Sequence, residues 1–318
     1  MKLSNNTIKK LIFGAYQFKE SKGYLEACRF SDAQLDAHPI GNPYHYRLLG
    51  SAGITLEFKT DAEKFSFDFI VTNIAFWDSI DVFVDGEMHH STTIADIADK
   101  ETKYGKGHLE YSLPQGKNKK ICLYFPTDCT LLIKNFTVDG SYSAIKKDKC
   151  RHVLWLGDSI TQGYGSALAS YGYVSVAKRI LGWNILNQGI GGYGFINDIL
   201  HPLEASFDRI FVAFGTNDRL RPAFHANVDK FLQKLSQLFP HTPVTVITPV
   251  WRPEIEGIYE ARDYLVSACE KYPLFNAIDG TVLIPKAKPY LCDHVHPNAI
   301  GCEYYGKKLA EIIKAQKL

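Results

Sequence analysis

Val153-Leu154-Trp155-Leu156-Gly157-Asp158-Ser159-Ile160-Thr161 is the stretch on which the fold turns. Residues 153–156 form a short apolar run without polar alternation, as expected of a strand buried on both faces. Gly157 and Asp158 end it, and Ser159 stands where a helical pattern begins. The same texture recurs downstream. Residues 184–187, 210–214 and 244–247 read as strands, and residues 168–182, 257–271 and 298–315 as helices. Between them Val228, Phe231, Leu232, Leu235 and Leu238 recur at helical spacing and make one apolar face. Strands alternating with helices imply a parallel sheet covered on both sides.

Upstream the period changes from helical to alternating. Ile54, Leu56 and Phe58 alternate with Thr55, Glu57 and Lys59, and Phe65, Phe67 and Phe69 alternate with Ser66 and Asp68. Val82-Phe83-Val84 runs into Asp85-Gly86, a hairpin signal. Residues 121–125 and 131–138 read as further strands, the last closed by Asp139-Gly140. Many short strands with Gly and Asp turns suggest a β-sandwich or jelly roll. The polar stretch 141–149 separates the two textures. The expected organisation is therefore a β-sandwich domain over residues 1–145 and an α/β domain over residues 150–318.

The chain has 318 residues, 46% of them hydrophobic, with 22% charged and a formal net charge of +2. That balance gives no reason to expect nucleic acid or an anionic membrane as partner. No apolar run reaches the roughly 18 residues a membrane span needs, and Leu11-Ile12-Phe13 is too short for a signal-peptide core. Seven cysteines without a CxxC pair fit free thiols in a reducing compartment. The expectation is a cytoplasmic protein, with a homo-oligomer left open.

Parallel α/β sheets place ligands at the carboxyl ends of their strands. Ser159 lies there, at the start of a helix whose N-terminus favours developing negative charge. A serine nucleophile needs a base, and the base an orienting group. Asp293-His294-Val295-His296-Pro297 supplies both, since a carboxylate three residues before an imidazole can reach it within one turn. Oxyanion donors are available after two further strands, at Asn217 in Gly215-Thr216-Asn217-Asp218 and at Gly192 in Gly189-Ile190-Gly191-Gly192. Asp158 and Asp218 read as structural, bonding loop backbone around the site.

Gly157-Asp158-Ser159, the Gly191-Gly192 glycine, Gly215-Thr216-Asn217-Asp218 and Asp293-x-x-His296 stand in the order of the four blocks of the SGNH, or GDSL, hydrolases. Residues 150–318 resemble that family. The resemblance implies a three-layer α/β/α domain hydrolysing esters with neither metal nor cofactor. Ser159 would then be nucleophile, Ser159, Gly192 and Asn217 the oxyanion hole, and Asp293 and His296 the rest of the triad. The longer string Gly157-Asp158-Ser159-Ile160-Thr161-Gln162-Gly163-Tyr164-Gly165 is similar to carbohydrate esterase family two. Those enzymes set a jelly-roll domain before an SGNH domain and remove acetyl groups from sugars. Some lack the triad acid, whereas this chain has Asp293. A related two-domain member is an acyltransferase.

Other readings of the same residues stand beside these. Ser159 alone suits a helix N-cap. His294 is a rival base. His294 and His296 beside Asp293 and Cys292 have some of the look of a zinc site. Gly189-x-Gly191-x-x-Gly194 follows a strand as a dinucleotide fingerprint does. Tyr164, Trp251, Arg252 and Arg219 are candidate substrate contacts, the aromatics by stacking on a pyranose and the arginines by bonding hydroxyls. The expected substrate is a small acyl ester, foremost an acetylated sugar or oligosaccharide. A lipase-type or thioesterase-type acyl hydrolase, an acyltransferase and a non-enzymatic carbohydrate-binding protein are the alternatives.

Overall fold

Phe65, Phe67 and Phe69 do alternate, one face buried and the other half-buried or exposed along the whole strand Lys64–Thr72. That strand belongs to one of two antiparallel sheets, in a computed structural model that describes residues 1–318. In chain order the strands are β1 (Ile12–Phe13), β2 (Gln17–Ser21), β3 (Tyr24–Cys28), β4 (Thr55–Thr60), β5 (Lys64–Thr72), β6 (Ser79–Val84), β7 (Glu87–Thr93), β8 (Gly105–Ser112), β9 (Lys119–Tyr124), β10 (Thr130–Val138) and β11 (Tyr142–Ala144). One sheet runs β1-β4-β9-β6-β7 with β11 also on β4, and the other runs β2-β3-β10-β5-β8. A single apolar cluster draws on both: Phe58 from β4 meets Phe65 from β5 and Phe136 from β10 edge-on, each with ring centroids 6.0 Å apart. Asp85 and Gly86 are both left-handed, at φ 52° and 95°, as a tight two-residue hairpin requires. Between Ile54, Leu56 and Phe58 the polar residues Thr55 and Glu57 are buried as well, so the alternation of β4 does not separate a wet face from a dry one.

The second sheet system is fully parallel. Its strands are β12 (His152–Gly157), β13 (Asn184–Gly189), β14 (Arg209–Ala213), β15 (Val244–Ile247) and β16 (Phe275–Ile278), in the order β13-β12-β14-β15-β16. That order reverses direction at β12, so a crevice is expected at the carboxyl ends of β12 and β14. Every residue from Val153 to Gly157 is buried, as the apolar run implies. Val153 and Trp155 pack with Tyr173, Tyr305, Leu309 and Ile313, which puts the helices Tyr173–Leu181 and Ala299–Ala315 on that face. Tyr173 and Tyr305 stack with centroids 3.9 Å apart. The helices Phe224–Leu238 and Ile258–Cys269 join through His225 stacked on Tyr264. All seven cysteines are free, and no helix is long and apolar enough to cross a membrane.

By contact the chain divides less simply than one cut between 145 and 150. Met1–Phe30, Tyr46–Cys150 and Ala167–Ser170 form one compact unit, and Ser31–His45, Arg151–Ser166 and Tyr171–Leu318 the other. Ser31–His45 contains the helix Asp32–Asp36, opened by a capping box between Ser31 and Gln34. Ala167–Ser170 is pinned to β6, where Ala169 N–H donates to Ser79 Oγ at 3.1 Å and Ser170 N–H to Asp81 Oδ2 at 2.9 Å. The helix expected over 168–182 therefore begins only at Tyr173, after the extended Gly172.

Candidate active site

The turn after β12 is built to display one hydroxyl. Asp158 Oδ1 accepts from Ile160 N–H at 3.0 Å and caps the one-turn helix Ser159–Gln162, which Gly163 ends in a left-handed conformation. A Cβ at Gly157 would sit 2.1 Å from Thr161 Oγ1, so only glycine lets this helix lie against its strand. The N-cap is thus Asp158 and not Ser159. Ser159 takes the first helical position, where an N–H has no intrahelical acceptor, and no chain group bonds it. Its Oγ lies 2.8 Å from His296 Nε2.

His296 is presented by a loop that folds on itself. Leu291 bridges Pro297, and Cys292 N–H donates to the His296 carbonyl at 2.9 Å. Asp293 Oδ1 accepts from the N–H groups of Val295 and His296, each at 2.7 Å, and Oδ2 lies 2.7 Å from His296 Nδ1. Partial burial works against the Asp293 charge. The bonds from His296 and Val295 outweigh it and hold the carboxyl below its usual range. An ionised Asp293 accepts the Nδ1 proton, so Nε2 is left to accept from the Ser159 hydroxyl. His294 is exposed and bonds nothing.

Two further turns complete the arrangement. After β13, Gly191 N–H donates to Gln162 Oε1 at 2.7 Å, whereas Gly192 N–H has no partner in the chain. Tyr193 N–H donates to the Ile190 carbonyl, a turn that needs the φ of 78° at Gly192. After β14, Asn217 Nδ2 donates to the Tyr193 carbonyl at 2.8 Å, which leaves its second N–H available. Asp218 Oδ2 accepts from Phe195 N–H at 2.8 Å, and Thr216 bonds Asp158. Ser159, Gly192 and Asn217 therefore each bring one N–H without a partner to turns that are stitched to one another. Burial pushes the Asp158 carboxyl up to about 7 and raises that of Asp218. Both act as backbone acceptors in loops, as the sequence suggests.

The expected substrate contacts fare unevenly. The Tyr164 ring lies 4.4 Å from that of His296 and is more than a third exposed. Trp251 is partly buried against the apolar cluster of the sheet. Arg219 is committed to backbone, its Nε to the Glu256 carbonyl and its Nη1 to that of Thr216, at 2.8 and 2.6 Å. Arg252 is paired with Glu254. Arg219 thus ties its own turn to the loop that carries Glu256, while Arg252 bonds within its own loop.

No three His, Cys, Asp or Glu side chains converge as a metal-binding group. The glycine run 189–194 is followed by a single 3-10 turn at Asn197–Ile199 and not by a helix, so it lacks the N-terminus that a dinucleotide's diphosphate would need. Four buried residues have roles the sequence did not indicate: Gln162, Tyr193, Gln34 and His38. Only Gln34 carried a signal, as the fourth residue of the capping box.

A model of the GDSL-like lipase/acylhydrolase family matches residues 155–304. No curated protein matches the sequence. Among solved structures, a salicylyl acyltransferase from a tetracycline biosynthetic pathway superposes with a TM-score of 0.76 at 19% identity, covering 96% of this chain and 94% of that one. A GDSL-like lipase from Bacteroides ovatus gives 0.74 at 18%, covering 100% and 98%. A family two carbohydrate esterase from Clostridium thermocellum, in complex with cellohexaose, gives 0.66 at 13%, covering 96% and 99%. At such identities the likeness is one of fold, and it spans both units.

Proposed function

Residues 155–304 belong to the GDSL-like lipase/acylhydrolase family, and from that premise we propose that the protein is a serine ester hydrolase with Ser159, His296 and Asp293 as its triad. The observation that carries this reading is the unbroken line Ser159 Oγ, His296 Nε2, His296 Nδ1, Asp293 Oδ2, at 2.8 and 2.7 Å. His296 takes the Ser159 proton as Oγ attacks the acyl carbon. The Ser159 and Gly192 N–H groups and the Asn217 amide receive the oxyanion. Collapse expels the alcohol with the proton from His296 and leaves an acyl-serine. Water, deprotonated by His296, then releases the acid and restores Ser159.

For the substrate we favour short acyl esters, foremost acetyl, on carbohydrate. The fold shared with family two carbohydrate esterases and with an acetyl xylan esterase from Butyrivibrio proteoclasticus supports this, as does a jelly-roll-like reading of the two-sheet unit. A second reading, acyl transfer to an acceptor other than water, is favoured by the likeness to the salicylyl acyltransferase.

The test is release of 4-nitrophenol from its acetate, butyrate and octanoate esters, with and without acceptor sugars, followed by acetyl release from acetylated xylo-oligosaccharides. Ser159→Ala should lose on the order of 10⁴ to 10⁶ in kcat while keeping its fold. Near-normal turnover in that variant would overturn the triad. Octanoate preferred, with no release from any acetylated sugar, would overturn the carbohydrate reading.

A further inference from the structure

Tyr193 stands at the junction of two of the oxyanion donors. It follows Gly192 directly, and its carbonyl accepts from the Asn217 amide at 2.8 Å. Where its backbone goes, both donors go. Its side chain is fully buried and is held by a segment far away in sequence.

That segment is Ser31–His45, which clusters with the parallel sheet although it precedes most of the β-strands. His38 Nε2 lies 2.9 Å from the Tyr193 hydroxyl, and His38 Nδ1 lies 2.8 Å from the Gln34 carbonyl. A carbonyl only accepts, so Nδ1 carries the proton and Nε2 receives the Tyr193 O–H. Burial raises the Tyr193 phenol far above its usual value, so it remains a donor. The Tyr44 ring meets Tyr193 edge-on with centroids 4.8 Å apart. His45 Nδ1 donates to the His38 carbonyl at 2.7 Å. Gln34 Nε2 bonds the Ile199 carbonyl at 2.8 Å and Gln188 Oε1 at 3.0 Å, so the segment also grips both flanks of the 189–199 loop. Gln34 and His38 are each about 1% exposed. Buried side-chain networks of this kind are costly unless satisfied, and once satisfied they rigidify what they hold.

We propose that Ser31–His45 is a brace for the oxyanion hole, with His38 as a positioning residue that acts through Tyr193 on Gly192 and Asn217. It touches no substrate. Its work is to hold two N–H donors where the charge of the tetrahedral intermediate develops, a placement on which an ångström costs about a hundredfold in rate. The proposal rests on the esterase reading above.

The test uses the full chain and 4-nitrophenyl acetate. His38→Ala, and Tyr193→Phe, which deletes only the hydroxyl, should each lower kcat about tenfold with KM unchanged, a fraction of what losing a donor costs. Affinity for phenylboronic acid, whose adduct with a serine is tetrahedral and anionic, should fall by a similar factor. His38→Gln, which keeps an acceptor for the phenol, should recover much of the loss. In an Asn217→Ala background the loss from Tyr193→Phe should shrink to roughly threefold or less, because one of the two donors it positions is already gone. Full turnover in both variants, a loss confined to KM, or an undiminished loss in the Asn217→Ala background would overturn the brace. An active Ser159→Ala would sink the esterase reading instead. An inactive Ser159→Ala beside fully active His38→Ala and Tyr193→Phe would sink the brace alone.

Discussion

Asp78 in the first unit and Asp158 in the second are each about 2% exposed, and burial pushes both carboxyls up to about 7. Both are held by threonines: Thr127 gives Asp78 its N–H and its hydroxyl, and Asp158 takes the Thr216 hydroxyl and the N–H of Ile160. By burial and titration they are near twins. They differ in what lies one residue away. Asp78 ties the lead-in to β6 to the turn after β9, where Thr127 lies, inside the two-sheet unit. Asp158 caps a helix whose first residue, Ser159, offers a hydroxyl to His296 and an N–H to nothing. A displaced pKa marks burial in both units, and only donors left without acceptors mark a site.

The comparison is broken most forcefully at His296. Its ring bridges Asp293 and Ser159, whereas His294, two residues earlier, is exposed and unbonded. His296→Ala should cost on the order of 10⁴ or more in kcat. His294→Ala should stay within about twofold, as surface changes away from a network do. Ester turnover of both variants, with melting temperature as a check on folding, decides it. A larger loss in His294→Ala would move the base.

Next in size is Asn217→Ala, with an expected fall of roughly 10² to 10³ in kcat and little change in KM, since a donor of this kind bonds mainly in the transition state. Steady-state kinetics on 4-nitrophenyl acetate reads it. A pure KM effect would assign the amide to ground-state binding.

The parallel sheet was legible because β12, β14 and β15 are short apolar runs, the first two followed by glycine-bearing turns, and because residues 298–315 and 228–238 repeat at helical spacing. β16 was missed: Phe275-Asn276-Ala277-Ile278 is only four residues long, is interrupted by Asn276 and has only its last residue buried, so its apolar signal is weak. β2 and β3 escaped too: β2 has Phe18 as its one apolar residue beside Lys19 and Glu20, and β3, though mostly apolar, is five residues long and interrupted by Glu26. At the candidate site, Ser159, Asn217, Asp293 and His296 could be read from residue type and spacing. Gln162, His38 and Tyr193 could not, because their roles arise from contacts between segments as much as 155 positions apart. The arginines at 219 and 252 were legible as functional types, but the carbonyls they bond were not, since the sequence does not show which acceptors a guanidinium will find.

The finest test returns to the two aspartates. Each has its folded carboxyl raised to about 7 from the ordinary 3.8. Between those values the folded protein holds a proton that the unfolded chain has released. The resulting stability is fully present below about pH 4 and is lost as pH rises through about 7. Melting temperature should therefore fall between about pH 4 and 7, and Asp78→Asn and Asp158→Asn should each flatten part of that fall, because an amide has no proton to lose. The variants should part company in turnover. Asp78→Asn leaves kcat where it was. Asp158→Asn still caps the helix, asparagine being a good N-cap, but its single acceptor oxygen serves Ile160, Thr161 and Thr216 less well than a carboxyl does. Ser159 then shifts against His296, and a loss of up to about tenfold in kcat follows, well short of deleting a donor. Equal turnover in the two variants would mean that the helix holds Ser159 without Asp158, and that burial made the two aspartates twins in function as well as in titration.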